Sequence, residues 1–145
     1  MDRPELLSSL KLDRFIAFDF ETTGLQVESD RAIEVAAIMF KDGKPADRYT
    51  TLINPQIPIS DLIANITGIT NEMVADAPLE KEIIDDLFNF LGDYPIVAHN
   101  TPFDVSFLQA MAERHNKKFI DRIYYDTLTL SRAFLFFQPA HNLSA

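Results

Sequence analysis

Residues 18–25 read F-D-F-E-T-T-G-L and close an apolar stretch that is typical of a β-strand. Alternate side chains of a strand point to the same face and lie about 6.5 Å apart along the chain. Asp19 and Glu21 are therefore predicted to share one face. Phe18 and Phe20 would pack on the opposite face. Two carboxylates this close repel each other, so a compensating positive charge is needed. Mg²⁺ or Mn²⁺ would supply it; acids that face solvent or pair with arginine are the alternative.

Composition indicates a folded, single domain. The 145 residues are enough for one core, and a hydrophobic content of 47 % argues against disorder. The absence of cysteine excludes disulfides, thiolate zinc sites and a cysteine nucleophile. The N-terminus lacks the pattern of a signal peptide, and no apolar run approaches the roughly 20 residues of a membrane span. We therefore expect one domain over residues 1–145, a cytoplasmic location and no membrane contact.

The charge balance limits the kinds of nucleic-acid binding that are possible. A net charge of −9 has the wrong sign for broad neutralisation of phosphates. This charge is strong evidence against a protein that coats DNA non-specifically. It is weaker evidence against an enzyme that acts on nucleic acids. An enzyme can grip a few nucleotides through bound divalent ions, which invert the local charge.

The order of predicted elements favours a mixed sheet with helices. Asp42-Gly43 is a strong signal for a hairpin turn between the second and third strands. The predicted strands are 15–21, 32–40, 46–53, 95–98 and 120–125. The predicted helices are 60–65, a short one from near residue 71, 79–91 with Gly92 as its end, 101–115 and 127–137. Three consecutive strands followed by alternating helices and strands predict an α/β fold with an antiparallel hairpin. No glycine-rich phosphate loop and no G-x-S-x-G elbow is present.

A second polar motif, H-N-T-P-F-D at 99–104, directly follows a predicted buried strand. Thr101 is a suitable N-cap, Pro102 suits the first helical position, and Asp104 lies three residues after the cap. Taken alone, Asp104 is therefore better explained by a capping box than by catalysis. His99 could likewise be a satisfied histidine at the end of a strand.

Taken together, and in this order, the two motifs resemble those of the DEDD-type 3′–5′ exonucleases, in particular the proofreading branch typified by the epsilon subunit of bacterial DNA polymerase III. F-D-F-E-T-T-G-L is similar to the first motif of that family. V-A-H-N-T-P-F-D-V-S-F-L at 97–108 is similar to the second. The segments at 66–70 and 125–132 also resemble family segments. The resemblance covers nearly the whole chain from residue 14 onward.

The resemblance implies a ribonuclease-H-like fold and metal-dependent hydrolysis of phosphodiester bonds at nucleic-acid 3′ ends, in proofreading or repair of DNA. It implies two divalent cations, Mg²⁺ or Mn²⁺, about 3.5–4 Å apart. By this resemblance Asp19 would bridge both ions, Glu21 would hold the ion on the nucleophile side, and Asp104 would hold the other. The implied partners are the 3′ end of DNA or RNA and a DNA polymerase subunit.

The resemblance also suggests residues that contact substrate. Thr22, Thr23 and Gly24 would meet the terminal nucleotide through backbone N–H groups and a hydroxyl. Thr67 stands where the family contacts the 3′ end, although a plain turn threonine is the simpler interpretation. Phe103 is better explained as core, given its spacing to Phe107, but its ring could wedge against a base.

One family motif has no match in the sequence. Family members carry a later helix with a histidine general base and, five residues on, a fourth aspartate. His141 is followed only by N-L-S-A and resembles the segment that leads into that helix, so we do not expect it to be the base. On this view the exonuclease domain is incomplete and its activity impaired. The apolar run A-F-L-F-F at 133–137 then predicts self-association or partner binding through residues 130–145.

Two other functions are compatible with parts of the sequence. A non-catalytic, exonuclease-like module could bind a polymerase or a nucleic-acid end without cutting it. A haloacid-dehalogenase-type phosphatase has a D-x-D-x-T nucleophile motif that D-F-E-T-T loosely resembles, with Asp19 as the nucleophile. Glu21 in place of the second aspartate, and the unexplained second motif, count against the phosphatase.

Overall fold

The computed structural model describes residues 12–119 and 121–127, together with residues 5, 8 and 9. These residues contain the elements β1 (Arg14–Thr22), β2 (Ala32–Lys41), β3 (Lys44–Leu52), α1 (Asp61–Thr67), α2 (Asn71–Val74), α3 (Glu80–Leu91), β4 (Ile96–Ala98), α4 (Thr101–Arg114) and β5 (Tyr124–Asp126). The strands form one sheet in the order β3-β2-β1-β4-β5. β1, β2 and β3 are antiparallel neighbours, whereas β4 and β5 run parallel to β1. The predicted mixed α/β sheet is confirmed. No described helix has the length and apolar character needed to cross a membrane.

The turn between β2 and β3 has the geometry that its sequence predicts. Asp42 and Gly43 have φ angles of 51° and 82°, and Lys41 pairs with Lys44 across them. Two consecutive residues with positive φ make the two-residue turn whose twist suits a hairpin. Asp-Gly therefore sets the register of β2 against β3.

The core lies between one face of the sheet and the helices α3 and α4. Ile16, Phe18 and Phe20 alternate along β1 and are buried, and the rings of Phe18 and Phe20 meet edge to face at 4.7 Å. The buried residues that α3 and α4 contribute to this cluster are Ile83, Ile84, Leu87, Leu91, Phe107, Leu108 and Met111. Because alternate residues change face, this packing turns Asp19 and Glu21 toward the other side of the sheet.

The short helices begin and end where local signals place them. The Ser60 hydroxyl accepts a hydrogen bond from the Ile63 N–H at 3.2 Å, which caps α1. Gly68 follows α1 with a φ of 77°, a left-handed conformation that favours glycine. Thr70 caps α2 in the same way, and Gly92 ends α3. The predicted starts and ends of these helices are confirmed to within a few residues.

Two predicted boundaries are wrong. Asn100, not Thr101, is the N-cap of α4, because the Thr101 hydroxyl is already committed to strand carbonyls. It donates to the Ala98 carbonyl at 3.2 Å and to the Tyr125 carbonyl at 2.8 Å. β5 covers three residues, Tyr124–Asp126, rather than 120–125, since only these pair with β4. The helix predicted over 127–137, apart from Thr127, and the association surface predicted over 130–145 lie outside the described residues.

Candidate functional site

The carboxylates of β1 lie on the sheet face opposite the main core, as the alternation predicts. Asp19 is exposed and Glu21 is half-buried. Partial burial of its carboxyl raises the pKa of Asp19, against the opposing effects of a hydrogen bond with Glu21 and the charge of His99. Burial also raises the pKa of Glu21, and the negative charges of Asp19 and Glu34 add to this. The pair therefore binds protons more tightly than isolated acids do.

Asp104 joins this pair from the first turn of α4. Its side chain is 3 % exposed, and its Oδ1 accepts a hydrogen bond from the Phe20 N–H at 3.0 Å. Phe20 lies beyond the last residue of β1 that pairs with β4, which is Ala17. The carboxylate thus takes the hydrogen-bonding position that β4 leaves open. Because Asp104 binds a neighbouring strand and Thr101 does not cap α4, the capping-box interpretation of Asp104 is wrong.

The surroundings of Asp104 are strongly unfavourable for a negative charge. Burial raises the pKa of Asp104 to about 7, although the hydrogen bond from Phe20 favours the ionised form. The negative charges of Asp19, Glu21 and Asp126 are part of the cause of this rise. A proton or a cation is therefore needed to compensate this group of acids at neutral pH.

Asp126 is an acid of this site that the sequence analysis did not identify. It is the last residue of β5 and pairs with Ala98 at the end of β4, next to the start of α4. The predicted fifth strand ended one residue too early, so this aspartate was not placed at a strand end. The rule that parallel strands gather their carboxyl ends at one edge could have found it.

The donor set fits a hard divalent cation in its chemistry. All of these acids offer carboxylate oxygens, which suit Mg²⁺, Mn²⁺ or Ca²⁺. As they are positioned, however, the histidine, aspartate and glutamate side chains of the described residues form no group of three or more that could hold a metal ion. The oxygens are present, but they would have to turn toward a common point.

The turn after β1 is held together by its own side chains. The Thr22 hydroxyl donates to the Gly24 carbonyl at 2.6 Å, and the Thr23 hydroxyl donates to Asp30 Oδ1 at 2.8 Å. The Arg31 N–H in turn donates to the Thr23 hydroxyl at 3.1 Å. A Cβ on Gly24 would lie 2.8 Å from the Asp30 Cγ, so no larger residue fits there unless Asp30 moves. Both threonine hydroxyls thus have internal partners, and the Thr23 N–H donates to the Arg31 carbonyl at 2.9 Å.

Leu25 follows this turn and is 79 % exposed, although leucine is usually buried. The sequence analysis quoted this residue without assigning it a role. Its only sequence signal is an apolar residue after a turn glycine, which is weak. Its exposure, four residues after Glu21 in the sequence, makes it a candidate contact for an apolar part of a ligand.

The remaining candidate residues have internal contacts. The Thr67 hydroxyl donates to the Ile63 carbonyl at 2.8 Å and accepts from the Ile69 N–H at 3.1 Å. Phe103 is partly buried, with its ring centroid 4.9 Å from that of Phe107. Neither geometry requires a ligand to explain it.

Of His99 and His141, only His99 lies within the described residues. His99 is exposed, and its Nδ1 lies 3.1 Å from the Thr127 hydroxyl. His141 lies outside the described residues.

Comparison with known proteins identifies a family. The RNase_T model, described as exonuclease, matches residues 16–145. "DNA polymerase III PolC-type" from Caldanaerobacter subterraneus is 43 % identical over 118 residues, covering 81 % of this chain and 8 % of the relative. The protein of the same name from Lacticaseibacillus paracasei is 40 % identical over 131 residues, covering 90 % of this chain and 9 % of the relative. The chain thus spans less than a tenth of the length of these relatives.

Solved structures of exonucleases have the same architecture. "Exonuclease X in complex with 5′ overhanging duplex DNA" is 30 % identical with a TM-score of 0.62, covering 82 % of this chain and 63 % of that one. "Exonuclease I (apo)" is 20 % identical with a TM-score of 0.76, covering 88 % of this chain and 32 % of that one. The likeness to exonuclease I confirms the predicted ribonuclease-H-like fold. The family match argues against the phosphatase alternative.

Proposed function

The chain belongs to the exonuclease family described by the RNase_T model, and on that premise we propose that it removes nucleotides from the 3′ end of a DNA strand in proofreading or repair. Divalent metal ions are general cofactors of DEDD exonucleases. The substrate, the direction and the biological setting are part of the proposal, because the polymerase relatives are more than ten times longer than the matched region.

The observation that best supports this function is the group of acids around Asp104. Asp19 and Glu21 approach it from β1, and their charges, after burial, help to raise its pKa to about 7. Folding such a group together is unfavourable unless a positive ligand is bound during function. Among the described residues, no arginine or lysine contributes to the pKa shift of any of these three acids, so a salt bridge within this part of the chain does not explain the group.

We infer that two divalent cations, Mg²⁺ or Mn²⁺, bind here, with Asp19, Glu21 and Asp104 as their ligands. When bound, such ions would make an attacking water more acidic and withdraw negative charge from the phosphate and the leaving oxygen. The residues of the chain contribute the orientation. Phe20 fixes one oxygen of Asp104, and the strand places Asp19 and Glu21 on one face.

The surroundings of the acids offer places for the terminal nucleotide. In this proposal the backbone of Thr22, Thr23 and Gly24 contacts its sugar or phosphate, and the exposed side chain of Leu25 packs against its base. The further contacts proposed by family resemblance are Thr67 and Phe103. The proposed partner is a polymerase of the DNA polymerase III kind, since the relatives of that name carry the matching region within one chain.

A non-catalytic role remains the second candidate, and one observation favours it. The acids in the described part of the chain do not form a group that could hold a metal ion as positioned. A module with this fold could bind the 3′ end of a strand, or a polymerase, without cutting.

A polarity assay separates the two candidates. A single-stranded oligonucleotide labelled at its 5′ end is incubated with the protein and Mn²⁺, and the products are resolved by length. The proposed exonuclease gives a ladder that shortens from the 3′ end and vanishes with EDTA and with Asp19→Asn. A matched Asp85→Asn variant, changed on the exposed side of α3, should cut like the parent. Intact oligonucleotide that is nevertheless bound by the parent supports the binding module.

A further inference from the structure

His99 continues the strand register to the level of Asp19. β1 and β4 are parallel, with Ala17 opposite Val97. Asp19 lies two residues further along β1, and His99, the residue directly after β4, lies two residues beyond Val97. Partial burial raises the pKa of Asp19, and the charge of a protonated His99 opposes that shift, so the two groups are close enough to interact. His99 therefore lies beside the acid that we assign to the cations.

Thr127 directly follows β5, the strand next to β4. Ala98 is opposite Asp126 in the parallel pairing of β4 with β5, so His99 and Thr127 each come directly after the last pair. The Nδ1 atom of His99 lies 3.1 Å from the Thr127 hydroxyl, in agreement with this register. Asp19 of β1, His99 directly after β4 and Thr127 directly after β5 thus lie near one another at one edge of the sheet.

The hydrogen bond to Thr127 determines what the imidazole can do. A hydroxyl that donates to Nδ1 selects the tautomer that carries its proton on Nε2. Among the residues that the structure describes, none hydrogen-bonds Nε2 of His99. A satisfied histidine at a strand end would explain one ring nitrogen. It leaves Nε2 of this exposed residue beside Asp19, and Nε2 is an N–H donor when the Thr127 hydroxyl donates to Nδ1.

We propose that His99 donates a hydrogen bond from Nε2 to a non-bridging oxygen of the terminal phosphodiester, and that Thr127 is the positioning residue that holds the imidazole. The inference rests on the proposed function, since it needs a nucleic-acid 3′ end beside Asp19. An imidazole N–H can donate a hydrogen bond to an anionic phosphate, which the ionised carboxylates of the site cannot do.

The test measures binding to two forms of one oligonucleotide by fluorescence anisotropy in a Ca²⁺ buffer, with gels to verify that the strand stays intact. A 3′-phosphorylated strand is also measured with the parent and with Asp19→Asn. The first form is a 5′-fluorescein, ten-nucleotide oligothymidylate with a free 3′ end. The second carries an uncharged methylphosphonate at its last linkage. The variants are His99→Ala, His99→Gln and Thr127→Val. His115→Gln is the matched control, because His115 lies at the other end of α4 and pairs with Glu80.

We expect His99→Ala to weaken binding of the natural strand by about tenfold, as for loss of a hydrogen bond to a charged group. It should add almost nothing when the linkage is already a methylphosphonate. His99→Gln keeps an N–H donor and should recover part of the affinity, which loss of structure would not allow. Thr127→Val should weaken binding by about threefold in the parent and not at all in the His99→Ala background.

Two results would overturn the inference, and they are distinguishable. If His99→Ala binds both strands as the parent does, while Asp19→Asn loses preference for the free 3′ end over a 3′-phosphorylated strand, then only the role of His99 is wrong. If the parent itself shows no preference for the free 3′ end, the proposed function and the role of His99 fail together.

Discussion

Asp104 combines deep burial with three acidic neighbours, and this gives its ionisation a direct effect on folding. The unfolded chain ionises this group near its ordinary pKa of 3.8, whereas the folded chain keeps the proton until about pH 7. The folded state therefore binds more protons between these values, and its stability falls as the pH rises through them. The loss is on the order of 2–4 kcal/mol by pH 8, taking 1.36 kcal/mol per pKa unit as an upper bound.

Asp104→Asn should stabilise the protein at pH 8 and flatten the dependence of Tm on pH between about 4 and 8. The amide oxygen can still accept the hydrogen bond from Phe20, and the charge is gone. Thermal unfolding at several pH values measures this, with the exposed Asp85→Asn as a control. Equal Tm values for Asp104→Asn and the parent at pH 8 would contradict the assigned ionisation.

Gly24 gives a second test at the scale of one residue. Gly24→Ala should destabilise the protein by about 1–3 kcal/mol, because its Cβ would press against the Asp30 carboxyl, which also binds Thr23. Asp30→Ala removes the obstruction. The double variant should therefore be clearly less destabilised than the sum of the single variants in urea unfolding. Strict additivity would mean that the two residues do not meet.

The sequence predicts the orientation of a side chain where residues nearby in the chain determine it. Alternation in β1 places Asp19 and Glu21 on one face, and the fold agrees. The partner of Asp104 could not be predicted, because the Phe20 N–H is 84 residues away and becomes available only where β4 ends. Asp126 joins the site for a similar reason, through pairing of β5 with β4.

Among the elements, α3 and α4 are tied together by Glu80. The Arg114 Nε donates to Glu80 Oε2 at 3.0 Å, and His115 Nε2 lies 2.7 Å from the same oxygen. Burial alone would raise the pKa of Glu80, but the hydrogen bonds from Arg114 and His115 outweigh it and hold the pKa below its ordinary value. The tie thus fixes the start of α3 against the end of α4, and so helps to hold α4, which carries Asp104.

Glu80→Gln should cost about 1–2 kcal/mol at pH 7, since it leaves the partly buried guanidinium of Arg114 without its counter-charge. Because the pKa of Glu80 is lowered, this contribution is present above the ordinary carboxyl pKa of 4.5 and is lost as the pH falls below it. Urea unfolding of the variant and the parent at pH 7 and pH 3 measures both effects.

The exposed pair of Lys117 with Asp85 provides the comparison for this prediction. Lys117→Ala should change stability by less than about 0.5 kcal/mol. An equal loss from both substitutions would mean that burial adds nothing to the tie at Glu80.

Element boundaries follow the sequence where a local signal decides them. Asp42-Gly43 at the hairpin and Ser60 at α1 are such signals. The start of α4 departs from its signal because the Thr101 hydroxyl bonds to the carbonyls of two strands instead of capping the helix. β5 is short because its length is set by its pairing with β4, which has three residues, and not by its own composition.

For the whole molecule, the net charge of −9 constrains how a nucleic acid can be held. Binding through many lysines and arginines releases counterions and weakens steeply with salt. Here the bound divalent cations would provide the attraction.

The affinity for a single-stranded 3′ end should therefore depend weakly on the KCl concentration and strongly on the divalent ion. We expect the slope of log K against log salt to lie near −1 to −2, far from the slope of about −4 or steeper expected for six or more phosphate contacts on a single strand. Anisotropy titrations at several KCl concentrations measure it. A steep slope, or binding that persists in EDTA, would contradict a cation-based site.

We propose that Asp19, Glu21 and Asp104 form a site for divalent cations. Calorimetric titration of Mn²⁺ is a direct test of this site. The parent should bind Mn²⁺, more tightly at pH 8 than at pH 6, because Asp104 must lose its proton first. Asp19→Ala should abolish the binding heat, and Asp85→Ala should leave it unchanged. If Asp19→Ala binds Mn²⁺ as tightly as the parent, the site is elsewhere and the proposed chemistry has no support.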